Sequence, residues 1–233
     1  MERNYVELFV WYIVFVLSTS MHEAAHALVA KLGGDLTAYR VGQVSLDPRP
    51  HMAREPMGMF VFPIISLWLI GWPFGFASAP YDPVWAYRYP RRAAWMSLAG
   101  PLANLGLVLL AAVVMKVGLW TGYFSSPEGF RFERVVGGTQ RYLSASAGLI
   151  VSLFFSLNLI LFSLNLIPLP PLDGSGALPL VLSASISRRY LDFVNQPAFR
   201  WIGLIVTWNI FGEVFRPVWK VALKTIYPGV EFG

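Results

Sequence analysis

The strongest constraint on this chain is a set of apolar runs that are long and poor in charge. Residues 5 to 32, 93 to 119, 142 to 166 and 199 to 221 each supply the about 20 residues that an α-helix needs to cross about 30 Å of hydrocarbon. A membrane barrel would instead show many short segments of alternating polarity. With 56% of its 233 residues hydrophobic and 13% charged, the chain reads as an α-helical integral membrane protein.

The expected fold is all-α and polytopic, with about four to six membrane segments that include one re-entrant or hairpin element. The apolar stretch 59 to 79 is the candidate for that element, because Pro63 and the "GWP" at 71 to 73 interrupt it. A polar segment, 33 to 58, follows the first span at "GGD"; its "YRVGQVSL" predicts a short β-like loop with an edge strand from about Tyr39 to Leu46. A short amphipathic piece precedes the last span. The whole chain is expected to form one membrane domain, residues 1 to 233.

The formal charge of +5 does not point to nucleic acid, since the basic residues lie in short loops between spans, where they set topology. With no cysteine, neither a disulfide framework nor a thiolate metal site is available. Residues 5 to 17 look like the apolar core of a signal peptide. The charges of the preceding "MERN" cancel, however, and the small residues that follow lead straight into "MHEAAH", so no cleavage is expected.

That "HEAAH" carries the chemistry. Helical spacing puts His22 and His26 on one face, one turn apart, so that two imidazoles can converge on one ion. In zinc hydrolases built on this pattern the glutamate, here Glu23, does not ligate; it takes a proton from the attacking water and passes it to the leaving amine. Three ionisable groups within five residues of a membrane span are costly unless an ion or a partner compensates them.

A third ligand is required. The candidates are Asp35, Asp47, His51, Glu55, Asp82, Glu128, Glu133, Asp173, Asp192 and Glu213, most of them in loops where an acid needs no explanation. Asp173 stands apart in "NLIPLPPLDG", at the end of an apolar span, where three prolines break the helix and Gly174 permits a tight approach. His51 fits either an outer-shell partner or an interfacial loop histidine. Gly100, Pro101 and Asn104 read as small residues for close helix packing.

"HEAAH", "AGPLAN" at 99 to 104 and "NLIPLPPLDG" at 165 to 174 together resemble the site-2 protease family of intramembrane zinc metalloproteases, in its compact prokaryotic branch without a PDZ domain. The resemblance covers about residues 18 to 178 and leaves the span at about 199 to 221 outside it. It implies one zinc ion bound by His22, His26 and Asp173, with Glu23 as general base and Asn165 steadying the substrate or its oxyanion. It also implies regulated intramembrane proteolysis of a transmembrane protein substrate in the lipid bilayer. Asp82–Pro83 stands where an Asn-Pro element is expected, a departure that concerns substrate contacts in that loop. The alternative is a non-enzymatic membrane metal carrier or partner-binding scaffold, and a further rival is a zinc protease class whose third ligand is a downstream glutamate such as Glu133.

Geometry adds a test. His22 lies roughly 26 Å along its helix from Tyr5, near one membrane face. Asp173 follows its own span, so the two spans must run parallel, with an odd number of crossings between them. The stretch 59 to 79 must then return to the face it left. Placing the metal face in the cytoplasm of a prokaryotic cell membrane puts most loop arginines inside, although Arg216, Lys220 and Lys224 at the end of the last span then lie outside.

Overall fold

The computed structural model describes residues 5–139, 142–194 and 196–230, so Arg141, expected in the outer loop, lies outside the described residues. Helix α1 spans Tyr5–Leu32. It ends at Gly33 and Gly34, where Asp35 N–H reaches back to the Ala30 carbonyl and Gly34 N–H to Lys31. Gly34 takes φ +99°, the left-handed conformation this type of helix stop requires.

The chain then makes an excursion. Helix α2 (Thr37–Arg40), helix α3 (Pro48–Arg54), a π-helical turn (Met57–Val61) and helix α4 (Phe62–Ile70) follow in order. The α3 axis and the 57–70 helix meet at 113°, which makes this a bent element. Tyr12 donates to the Met59 carbonyl at 3.4 Å, and Phe15 of α1 backs Gly75, so the bend reaches past the histidines to the middle of α1. The return strand of chain is pinned by Phe76 N–H to the Gly58 carbonyl at 3.1 Å. A Cβ on Gly58 would collide with the Phe76 backbone, so glycine is what lets the two arms touch. Entry and exit are stapled where Asp82 N–H donates to Asp35 Oδ2 at 2.8 Å. The excursion therefore goes in and comes back out on one face, as the parity of crossings demanded.

The expected strand at Tyr39–Leu46 is not there. Asp35 Oδ1 accepts from both the N–H and the hydroxyl of Thr37, at 2.9 and 2.6 Å, which starts the helical turn α2 in its place. Gly42, at φ +77°, then ends that turn. Among the described residues the only paired strands, β1 (Phe124–Ser125) and β2 (Gly137–Gly138), lie in the loop at the opposite face.

Helix α5 (Pro83–Arg88) leads into α6 (Pro90–Trp120), and α7 covers Tyr142–Asn165. Among the described residues, helices α1, α6 and α7 are long and apolar enough to span a membrane, and with the bent element the count reaches four. His22 faces Asn104 and His26 faces Met96, so α6 runs antiparallel to α1. Small buried residues, Ala24, Ala27, Ala30, Ala94, Ala99 and Gly100, allow these backbones to approach closely. Trp11, Val14, Phe15, Met59, Leu153 and Leu157 fill the adjoining core.

After α7 come α8 (Asp173–Ala177), a 3₁₀ turn at Leu178–Leu180, α9 (Ala184–Val194) and α10 (Pro197–Ile226). Gly203 abuts the Pro170 carbonyl near the metal face, while the Tyr227 hydroxyl donates to the Val135 carbonyl at 2.8 Å at the opposite one. Helix α10 thus runs the full depth of the molecule, although its five charged residues before Thr225 leave it less apolar than the other three. Burial pushes the Tyr227 phenol up to about 12.

Candidate active site

The HExxH turn sits in the last third of α1, with His22, Glu23 and His26 all buried. Ligand atoms of these three lie within 4.8 Å of one another. The two Nε2 atoms are 3.0 Å apart. Asp173 arrives from the other end of the sequence: its Oδ2 is 3.0 Å from His22 Nε2 and 3.3 Å from His26 Nε2. A tetrahedral zinc ion with ligands at about 2.0 Å separates them by about 3.3 Å, so these three donor atoms are spaced as one face of such a shell.

Asp173 is positioned by the proline turn. Leu172, extended at ψ 152°, precedes the first turn of α8, which therefore begins at Asp173. Gly174 lies so close to the Leu166 and Ile167 carbonyls that a Cβ would clash with both. Gly176 packs likewise against Ser97 of α6. The carboxylate is thereby held from two sides over the histidine pair, with its side chain 22% exposed beside imidazoles that are closed off.

Each imidazole has its other nitrogen engaged, the arrangement by which ligating histidines are oriented. His26 Nδ1 donates to the Met96 carbonyl at 2.7 Å. His22 Nδ1 meets Asn104 Oδ1 at 2.5 Å. Gly100 lies behind both rings, where a Cβ would run into both Nε2 atoms. Pro101 lacks the N–H that would close on the Ser97 carbonyl, which loosens α6 in the turn carrying Met96 and Gly100.

Glu23 is different in kind. Its Oε2 is sealed and has no hydrogen-bond partner among the described residues. An ionisable oxygen left unpaired at this depth is costly without a compensating ion or exchangeable proton, and both are what a metal-dependent hydrolase supplies.

Five of the other candidate ligands are bonded elsewhere. Asp47 and Asp82 cap α3 and α5 through Arg49 N–H and Val84 N–H. Asp35 holds Thr37 and Asp82, Glu55 accepts from Ser78, and Glu213 pairs with Arg216. His51 is buried and donates from Nε2 to the Ser45 carbonyl at 2.9 Å. Glu133 lies near Glu7, which is roughly 22 Å along α1 from His22, so the rival with a glutamate at that position as ligand has no geometric support. Asn165 ends α7, half-buried, and no hydrogen bond ties it to the three donors.

Two features went unread in the sequence. Asn104, which the sequence offers as a packing residue, is the hydrogen-bond partner of His22. Asn158 was not singled out, yet it is fully buried and bonds Asn104 Nδ2 through its Oδ1 at 2.8 Å. A lone amide in the middle of "FFSLNLILF" is itself a signal, because such a group in an apolar span needs a partner.

The family model described as peptidase family M50 matches residues 10–208. The chain belongs to this family, that of the site-2 proteases. A Bacillus subtilis relative named "Putative zinc metalloprotease YwhC" is 34% identical over 70% of the chain and 64% of its own length. Relatives named "Putative zinc metalloprotease Rip2" match as well: that of Mycolicibacterium smegmatis is 28% identical over 87% of the chain and 67% of its own length, and that of Mycobacterium tuberculosis Erdman is 30% identical over 75% and 58%. The matched part of this M50 chain thus spans about three fifths to two thirds of these relatives. No solved structure matches it.

Proposed function

We propose that this M50 chain is a single integral membrane domain acting as an intramembrane zinc metalloprotease. It hydrolyses a peptide bond within or next to a transmembrane segment of a membrane-protein substrate. The observation that carries this reading is the meeting of His22 Nε2, His26 Nε2 and Asp173 Oδ2 within 3.3 Å, with the Glu23 carboxylate, its Oε2 without a partner among the described residues, on the same turn.

His22, His26 and Asp173 would hold one zinc ion, which when bound supplies Lewis acidity to water and to the scissile carbonyl. Two neutral imidazoles and a carboxylate are a donor set suited to zinc. Glu23 takes the proton of the attacking water and returns it to the leaving amine. Asn165, half-buried and with no side-chain hydrogen bond among the described residues, has an amide that can donate to the substrate or its developing oxyanion. The surrounding α1, α6 and α7 keep bulk water and lipid from the back of the site. The partly exposed Asp173 marks the side from which a substrate backbone reaches it.

The metal end of α1 shares its face with Lys31, Arg40, Arg88, Arg91 and Arg92, whereas Arg131 and Arg134 lie near Glu7 at the other end. The positive-inside rule then favours a cytoplasmic active site in a prokaryotic cell membrane. The test is membrane-fragment proteomics in cells carrying wild-type or Glu23→Gln protein. A protease loses its cleavage products by on the order of 100- to 10,000-fold while the purified protein still retains zinc. A carrier or scaffold functions unchanged, and that result would sink the proposal.

A further inference from the structure

The two histidines are oriented by different means. His26 Nδ1 faces a backbone carbonyl, that of Met96, which can only accept. This alone places the proton on Nδ1 and leaves Nε2 with a lone pair. His22 Nδ1 faces a side-chain amide, and an amide can turn over to present NH₂ in place of oxygen. A turned Asn104 would favour the opposite tautomer, with the proton on the nitrogen that faces Asp173.

The neighbours of Asn104 decide which way it sits. Asn158 Nδ2 donates to the Phe154 carbonyl at 2.8 Å and to Ser18 Oγ at 2.9 Å. The Phe154 carbonyl can only accept, so the NH₂ of Asn158 must point there and its Oδ1 must point at Asn104. Asn104 therefore donates from Nδ2 at 2.8 Å, which turns its own Oδ1 toward His22. Direction passes from one backbone carbonyl through two amides to the imidazole. Asn104, Asn158 and Ser18 are all fully buried, so water does not compete for any of these bonds.

We infer that Asn158 is a positioning residue for the metal centre: it locks the amide of Asn104, and through it the tautomer of His22 that presents Nε2 to the ion. Asn158 touches neither metal nor substrate. The inference rests on the metal reading of the site given above, and it predicts that the lock is dispensable once Asn104 no longer has two unlike ends.

The experiment is a double-mutant cycle on the full chain in detergent, read as zinc affinity by competition with a chelator. Asn158→Leu, close in volume, should weaken zinc binding on the order of 10- to 100-fold, the usual cost of removing an outer-shell partner. In an Asn104→Asp background both oxygens accept, and Asn158→Leu should then change affinity by less than about 3-fold, because no amide remains to be turned. Asn158→Ala, which adds no volume, should behave alike and serves if the leucine variant does not fold. Unchanged zinc affinity in Asn158→Leu or Asn158→Ala would overturn the inference. So would an equal loss in both backgrounds, since that is the mark of a packing role. The failure of the metal reading looks different: wild type and His26→Ala would then bind zinc alike, before Asn158 is touched.

Discussion

The core of α1, α6 and α7 and the excursion at residues 33–89 use the same residue types for opposite ends. In the core, polar side chains find partners far away in sequence: His22 meets Asn104, Asn104 meets Asn158, Asn158 meets Ser18, and Asp173 meets both histidines. In the excursion most bonds close locally, as Asp47 does on Arg49, Asp82 on Val84 and His51 on Ser45. A histidine or aspartate whose reactive atom is already spent on a nearby backbone group shapes the chain. One whose atom is held free, with its other end fixed from afar, is available for chemistry. His51 and His26 are both buried with one ring nitrogen on a backbone carbonyl; what separates them is that the other nitrogen of His51 meets no partner among the described residues, whereas His26 Nε2 lies 3.0 Å from His22 Nε2 and 3.3 Å from Asp173 Oδ2.

Asp173→Ala tests the contrast where the effect should be largest. Removing one of three donors should abolish both zinc retention and cleavage, seen as loss of metal from the purified protein by elemental analysis. His51→Ala, equally buried, should leave zinc content at wild-type level even if it lowers thermal stability. Zinc lost from His51→Ala and kept in Asp173→Ala would reverse the assignment.

Gly100→Ala comes next. A methyl there runs into both Nε2 atoms, so either the imidazoles or α6 must give way. Zinc affinity should fall by at least about 10-fold, because small displacements of ligands are costly in a preorganised site. Gly42→Ala, in the excursion, has open space around it but a φ of +77°. It should cost about 1 kcal/mol of stability through backbone strain and nothing in zinc affinity. The pair of glycines thus separates a requirement for space from a requirement for conformation.

The same contrast explains what was legible in the sequence. His22 and His26 lie four residues apart, with Glu23 beside His22, on a helix whose apolarity is plain, so the convergence of the two imidazoles follows from helical pitch. The approach of Asp173 was suggested by the prolines and Gly174, and crossing parity required the segment around 59–79 to turn back. The loop at 39–46 reads as a strand because Tyr39, Val41 and Val44 favour one, while the decisive interaction is the donation from the Thr37 N–H and hydroxyl to Asp35 just upstream. One side-chain-to-backbone turn outweighed the propensity of several residues. Asn158 was missed for the opposite reason: its partners, Ser18 and Asn104, are 140 and 54 residues away, beyond any periodicity.

Asp35 gives a smaller effect with a pH signature. Burial opposes its ionisation, but the Thr37 hydroxyl, the Asp82 and Thr37 N–H groups and the Arg40 guanidinium outweigh this and hold its carboxyl below the usual range. A lowered folded pKa means that the contribution is present above the unfolded value near 3.8 and is lost as pH falls through the folded one. Asp35→Ala should therefore cost about 1–2 kcal/mol at pH 7 by thermal melting in detergent. The gap from wild type should stay constant between pH 5 and 8 and close only below about pH 4. A gap that narrows between pH 8 and 6 would assign the stabilisation to a group other than this carboxylate.

The smallest effect belongs to α10, whose Glu213–Arg216 pair is 3.3 Å apart with side chains 75% and 65% exposed. Phe215, the neighbour of Arg216, packs against Phe132, whose carbonyl accepts from Ser156 in the middle of α7, so the pair sits near mid-depth of the molecule, roughly 15–20 Å along α10 from Gly203. With both side chains open on a wetted face of α10 the charges gain little from each other, so Glu213→Gln should shift stability by less than about 0.5–1 kcal/mol and leave zinc affinity unchanged. Were the pair instead immersed in hydrocarbon, removing one partner would strand an arginine there and cost several kcal/mol. A melt of this variant thus measures how deep α10 sits. A large loss would mean that its charged half lies within the membrane as the spans of the core do, and that the boundary drawn between core and surroundings must move to include it.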